Sequence, residues 1–280
     1  VPGAANTNGF TSTQAGCIAG VSNTSRTSTF RNLITRCANY GDMTVSTGRA
    51  SGIVAAANTF TVVSECENHG DMLNTYGESG GGRLGNITCI LGTSSVVDGC
   101  TNYGDIVATN AKTHAGGLVC LTNSADSEVV NSANYGNVIT DLATYRGTLV
   151  ANINNGAKLD NNTAGGATGY HIAGIVGFSS NDGSSQQKVI ISDCINYGDM
   201  TSATGRTSGI VAAANRYTQL TNCVNHGDQM NTCPKEDAGR LGNITCNMGT
   251  GSSMSGCTNY GNLTSTTKAR CGGITSLSNT

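Results

Sequence analysis

Apolar and polar residues alternate along this chain in short bursts, and the bursts return at a nearly fixed interval. In Asp42-Met43-Thr44-Val45-Ser46 every second residue is apolar, the period of a half-buried strand. Thr47-Gly48-Arg49 reads as a turn, and the small apolar run from Gly52 to Ala57 follows, closed by Asn58. Phe60-Thr61-Val62-Val63-Ser64 is rich in β-branched residues and leads into Cys66. No 3.6-residue apolar period survives for more than about ten residues, because glycine interrupts each candidate helix. The pattern predicts three short strands per unit, joined by Gly/Asn/Ser turns.

The unit recurs throughout. Cys-x-Asn-Tyr-Gly at Cys37 returns at Cys66, Cys100, Ser132, Cys194, Cys223 and Cys257, with His69 and His226 for Tyr at Cys66 and Cys223, and a degenerate copy stands at Asn161-Asn162-Thr163-Ala164-Gly165. The intervals are 29, 34, 32, 29, 33, 29 and 34 residues. Units therefore start near 1, 37, 66, 100, 132, 161, 194, 223 and 257, nine in all. Residues 37–104 also align without a gap on 194–261 at an offset of 157, with 43 of 68 positions identical. A block of five units has been duplicated within one continuous domain, 1–280. The expected architecture is all-β: a parallel β-solenoid of about nine three-sided coils, each of ~31 residues. At strand spacing it makes a rod about 40 Å long, right-handed because parallel crossovers are.

Composition narrows the function. Only 32 of 280 residues are charged and the net charge is -2, so the basic footprint of a nucleic-acid or anionic-membrane binder is missing. The longest apolar stretch, Ile53 to Ala57, is far short of the roughly 20 residues a spanning helix needs. The chain starts at Val1 without a basic leader, as a processed protein or an excised fragment would.

In a parallel coil each repeated position becomes a column that must tolerate itself above and below. Asn39, Asn68, Asn102, Asn134, Asn196, Asn225 and Asn259 suit an amide ladder, in which each side chain donates to one neighbour and accepts from the other. The glycines two residues later suggest a left-handed turn. Between them lie Tyr40, His69, Tyr103, Tyr135, Tyr197, His226 and Tyr260, a stacked turn column or a carbohydrate platform. Cys37, Cys66, Cys100, Cys194, Cys223 and Cys257 share one column and read mainly as small buried hydrophobes. The six others, Cys17, Cys89, Cys120, Cys233, Cys246 and Cys271, leave a disulfide to a column cysteine open, and no Cys-x-x-Cys supports a zinc or redox site.

The acidic row Asp42, Asp71, Asp105, Asp199 and Asp228 is the candidate ligand or cation row, with Asn137 and Asn262 closing its two groups. Carboxylates about 5 Å apart could hold a cation or work as an acid–nucleophile pair. Asp is equally a favoured turn residue, and a catalytic site should break a repeat rather than follow it. No catalytic residue, metal site or cofactor is assigned. His114 and His171 lie near no serine or carboxylate motif, and Arg83 and Arg240, in the repeated Gly-Arg-Leu-Gly-Asn-Ile-Thr-Cys string, read as loop anchors.

Gly52-Ile53-Val54-Ala55 followed by Val63, Cys66, Asn68, Gly70 and Met72 resembles the GLUG-type repeats, as does Gly174-Ile175-Val176-Gly177 leading to Ile191, Cys194, Asn196, Gly198 and Met200. Those repeats read roughly Gly-Gly-(Ile/Leu)-Val-Gly, a spacer, then Cys-x-Asn-x-Gly-x-Val, and occur in large secreted and surface proteins, notably of gut bacteria. The resemblance implies an extracellular or cell-surface β-solenoid, structural or adhesive, with no family-wide catalytic residue. Here Ala-Ala-Ala stands where the family has Gly after the Val. The expectation is a non-enzymatic structural or adhesive protein that stacks end to end into a filament or joins neighbouring domains of a longer surface protein. The alternative is a carbohydrate-binding or polysaccharide-processing β-helix using the Asp and Tyr columns.

Overall fold

In the computed structural model the chain is described over residues 14–22, 30–46, 48–75, 82–109, 113–122, 124–140, 170–181, 187–203, 205–232, 239–266 and 269–276. Its strands assemble into five sheets of 8, 6, 7, 7 and 7 strands, and neighbouring strands run parallel. No helix occurs among the described residues. One turn runs Arg49–Ser51, Val54–Ala57, Thr61–Ser64, Glu67–Asn68 and Met72–Asn74, and each strand pairs with its counterpart one turn away. The parallel solenoid expected from the repeats is the fold. We number its sheets first to fifth in this chain order.

Two details differ from the sequence reading. Each turn carries five strands, not one on each of three sides. Arg49 opens the first-sheet strand rather than closing a turn, and Glu67–Asn68 is a strand too short for alternation to reveal. The count of turns also changes. Ala133–Asn134 pairs directly with Ile195–Asn196, and Val138–Ile139 with Met200 and Thr201, so no turn lies between them. The unit expected near 161 thus adds no strand to the fourth and fifth sheets, although His171–Ala173, Val176–Ser179 and Val189–Ser192 supply strands to the first three; Asn161–Gly165 fall outside the described residues, as does the start expected near 1. The fourth and fifth sheets contain seven strands each, which makes seven turns, and Arg270–Gly272 opens an eighth in the first sheet. Seven turns at about 4.8 Å give a rod of about 34 Å rather than 40 Å.

The interior is built by repetition. Ile53, Ile87, Leu118, Ile175, Ile210 and Ile244 form a fully buried column at the entry to the second sheet. A second cluster sets Ala50, Leu84, Ala115 and Ile172 against Met72, Ile106, Val138 and Met200. Each such side chain contributes about 1.5–3 kcal/mol once covered, and only the turns above and below can cover it.

Left-handed backbone is needed at a corner other than the one the glycine column suggested. The residue before the cysteine position has positive φ in all seven turns: Arg36 54°, Glu65 51°, Gly99 61°, Asn131 50°, Asp193 54°, Asn222 53° and Gly256 65°. In the glycine column itself the requirement is space. A Cβ on Gly104 would sit 2.0 Å from the carbonyl oxygen of Gly70, and one on Gly70 2.0 Å from that of Gly41. Successive turns approach too closely there for any side chain.

Candidate functional site

The three columns around the Asn-Tyr-Gly-Asp corner run unbroken through all seven turns. In the first, Asn39 Nδ2 donates to Asn68 Oδ1 at 2.8 Å, and the same bond repeats from Asn68 to Asn102, Asn134, Asn196, Asn225 and Asn259 at 2.8–2.9 Å. The second N–H of each amide closes onto the glycine carbonyl two residues on, as Asn102 does with Gly104 at 2.8 Å. Asn68, Asn102, Asn134, Asn196 and Asn225 are fully buried, so this ladder satisfies polar groups that would otherwise be costly inside the coil.

The aromatic column is one stack of seven rings. Centroids follow one another at 4.6, 4.7, 5.1, 4.7, 4.9 and 4.8 Å from Tyr40 to Tyr260, with planes within 14°. Sugars pack on ring faces, and here each inner face is covered by the next ring. Only the outward faces of Tyr40 and Tyr260, exposed at 73% and 67%, are open.

The acidic row has a structural use. Asp42 Oδ1 accepts the N–H of Asp71 at 2.9 Å, and Asp71 Oδ1 that of Asp105 at 2.8 Å. Asp105 Oδ1 accepts from Asn137 at 2.7 Å, Asn137 Oδ1 from Asp199 at 2.9 Å, Asp199 Oδ1 from Asp228 at 2.8 Å and Asp228 Oδ1 from Asn262 at 2.7 Å. Each side chain ties its turn to the next. The Asn137 and Asn262 amides also donate to Asp105 and Asp228, at 3.1 and 3.0 Å. Burial first, then the neighbouring Asp71, raises the pKa of Asp105. Among the described residues no three His, Cys, Asp or Glu side chains converge on a cation-sized site.

The eleven described cysteines are unbridged, and Cys233 lies outside the described residues. Column thiols donate to backbone carbonyls, as Cys100 does to Val63 at 3.4 Å, and Ser132 fills the same place with an Oγ–H···O bond to Val130 at 2.7 Å. Cys89, Cys120 and Cys246 occupy equivalent places in the turn, each bonded to the carbonyl six residues earlier at 3.2–3.3 Å. Burial raises the Cys246 thiol to about 12, which leaves it a poor nucleophile.

The first sheet gathers residues that sequence reasoning kept apart. Its opening positions, in pairing order, are Gln14, Arg49, Arg83, His114, His171, Arg206, Arg240 and Arg270. Five arginines and two histidines thus form one column at strand spacing, where adjacent unit charges repel by about 1 kcal/mol even in water. His171 Nδ1 lies 3.1 Å from His114 Nδ1, and Arg206 Nη1 3.0 Å from His171 Nε2. Burial, aided by Arg83, lowers the His114 pKa to about 4. His171 is held well below its ordinary value by burial, then His114 and Arg206. Both imidazoles are neutral at pH 7. Phe178 meets His171 edge-on at 5.1 Å, and Tyr170 tilts against His114 at 5.4 Å. Beside the pair opens a cleft of about 330 Å³ lined by Arg83, His114, Cys120, Leu121, His171 and Phe178. One signal for it was available: Gln14 and His171 are equivalent across the 157-residue offset, so His171 stands where the duplication changes its letter.

Fold and columns together define a parallel β-solenoid held by side-chain ladders. Comparison with family models, with curated proteins and with solved structures finds no match.

Proposed function

We propose that this is a non-enzymatic, extracellular structural or adhesive solenoid of the GLUG-repeat kind, whose coils join end to end. The observation that carries the axial joining is the complementarity of the two end turns. Among the described residues, Asn39 Oδ1 in the first turn receives no side-chain amide from below, and Tyr40 has an open face; in the last, no turn stacks above the Asn259 amide, and Tyr260 has an open face. Asn262 Oδ1 is the next acceptor in the acidic row, and the Asp42 N–H is the donor that would meet it. Val21, Phe30 and Leu33 at one end are exposed at 54%, 72% and 68%, and Ile274 at the other at 39%. A contact of this head-to-tail type does not close on itself and yields an open fibre. A second copy, or an adjoining repeat domain of a surface protein, presents the required edge.

The covered ring faces and the engaged carboxylates count against the carbohydrate-processing reading. Electron microscopy and sedimentation of the purified protein test the proposal. Wild-type protein forms rods in multiples of about 34 Å that lengthen with concentration, and Tyr40→Asp or Tyr260→Asp returns them to single rods. Monodisperse single rods of the wild type at every concentration would overturn it.

A further inference from the structure

The cleft at His114 and His171 has donors with no acceptor. Arg206 is always protonated, so its Nη1–H donates to His171 Nε2. His171, being neutral, then carries its proton on Nδ1 and donates it to His114 Nδ1. That bond leaves the His114 proton on Nε2. The relay runs one way, from Arg206 through both rings, and its last N–H has no partner among the described residues. Arg83, paired one turn away in the same column, likewise has no carboxylate or other acceptor among them. The remaining walls, Leu121 and Phe178, are side by side on adjacent second-sheet strands and apolar.

We propose that this cleft binds a small organic carboxylate, its oxygens taken by the Arg83 guanidinium and His114 Nε2–H and its apolar body laid on Leu121 and Phe178. The column of like charges supplies the attraction, and the volume lies at the small end of ligand sites. Two donors and an apolar wall lining one cleft suit a carboxylate on a ring or short alkyl chain better than an inorganic anion, which has no apolar part to bury. The site goes beyond the structural role proposed above and does not depend on it.

The repeat supplies a control. Arg240 is the duplicate of Arg83, in the same local sequence but away from the cleft. Sodium benzoate is titrated into the full chain by NMR and calorimetry, alongside benzamide, its neutral counterpart, and sodium sulfate. Benzoate is expected to bind one to one, at least tenfold more tightly than either. Arg83→Gln is expected to weaken it at least tenfold, while Arg240→Gln leaves it unchanged. No saturable benzoate binding, equal binding of benzamide or sulfate, or equal loss in both variants each overturns the proposal. Long-range proton–nitrogen spectra of the unmodified protein give a readout that no variant's folding can disturb. They should show His114 protonated on Nε2 and His171 on Nδ1, and the opposite tautomers would remove the outward donor.

Discussion

At the scale of single residues, the most demanding position is the left-handed corner before the cysteine column. The seven turns place Arg, Glu, Gly, Asn, Asp, Asn and Gly there, all with φ between 50° and 65°. For an L-residue with a Cβ this conformation costs about 1–2 kcal/mol, partly offset by the backbone freedom a glycine would lose. Glu65→Gly is therefore expected to stabilise the protein by about 1 kcal/mol, since Gly99 and Gly256 already occupy the same corner. The urea midpoint should rise, and a fall would show that the Glu65 side chain contributes more than its strain. The corner was not legible in the sequence, because five residue types share its seven places. The neighbouring glycines recur faithfully and drew attention to a left-handed turn that is instead a close contact between backbones.

At the scale of elements, the strands are too short to be independent. A two-residue strand such as Thr101–Asn102 makes few backbone bonds of its own, and the Asn side chain adds four, donating to Gly104 and Asn134 and accepting from Asn68 and the Gly104 N–H. Asn102→Ala strips the partner from the Asn68 amide below, the Asn134 side-chain carbonyl above and the Gly104 N–H beside it, while the Gly104 carbonyl keeps the Asn86 amide. Loss of buried partners of this kind costs about 1–3 kcal/mol each, so a destabilisation of about 3 kcal/mol or more is expected. Thermal or urea unfolding measures it, and a change below about 1 kcal/mol would mean that water replaces the amide. The Asn, Cys and Asp columns could be read from the sequence because each repeats one letter at one place. The first-sheet column mixes Gln, Arg and His, and His114 and His171 are 57 residues apart. Only strand pairing brings them into contact.

At the scale of the whole molecule, the turns that flank residues 141–169 in sequence stack directly on one another: Asn134 bonds to Asn196 and Tyr135 stacks on Tyr197 with the same spacing as elsewhere. The regular interval made a degenerate unit at Asn161 plausible, and arithmetic alone could not tell an inserted segment from a turn. Replacing 141–169 with a linker of about eight residues, the longest the other turns use at this point, is expected to preserve the fold. It should stabilise it slightly, by about 1 kcal/mol, through a shorter loop to close. Circular dichroism and a melting curve decide this, and loss of the β-signal would show that the segment supports the coil.

The Asn ladder has a further property as a unit. All six amide bonds point the same way along the axis, so the side chains form a row of aligned dipoles, each polarising the next. Rotating a single inner amide by half a turn would set donor against donor on one side and acceptor against acceptor on the other. Reversing one inner amide makes two faults, and reversing the row from any point to its end still leaves one. The direction of the ladder is thus held in common by all seven turns, and it gives a rod made of near-identical layers a distinguishable top and bottom.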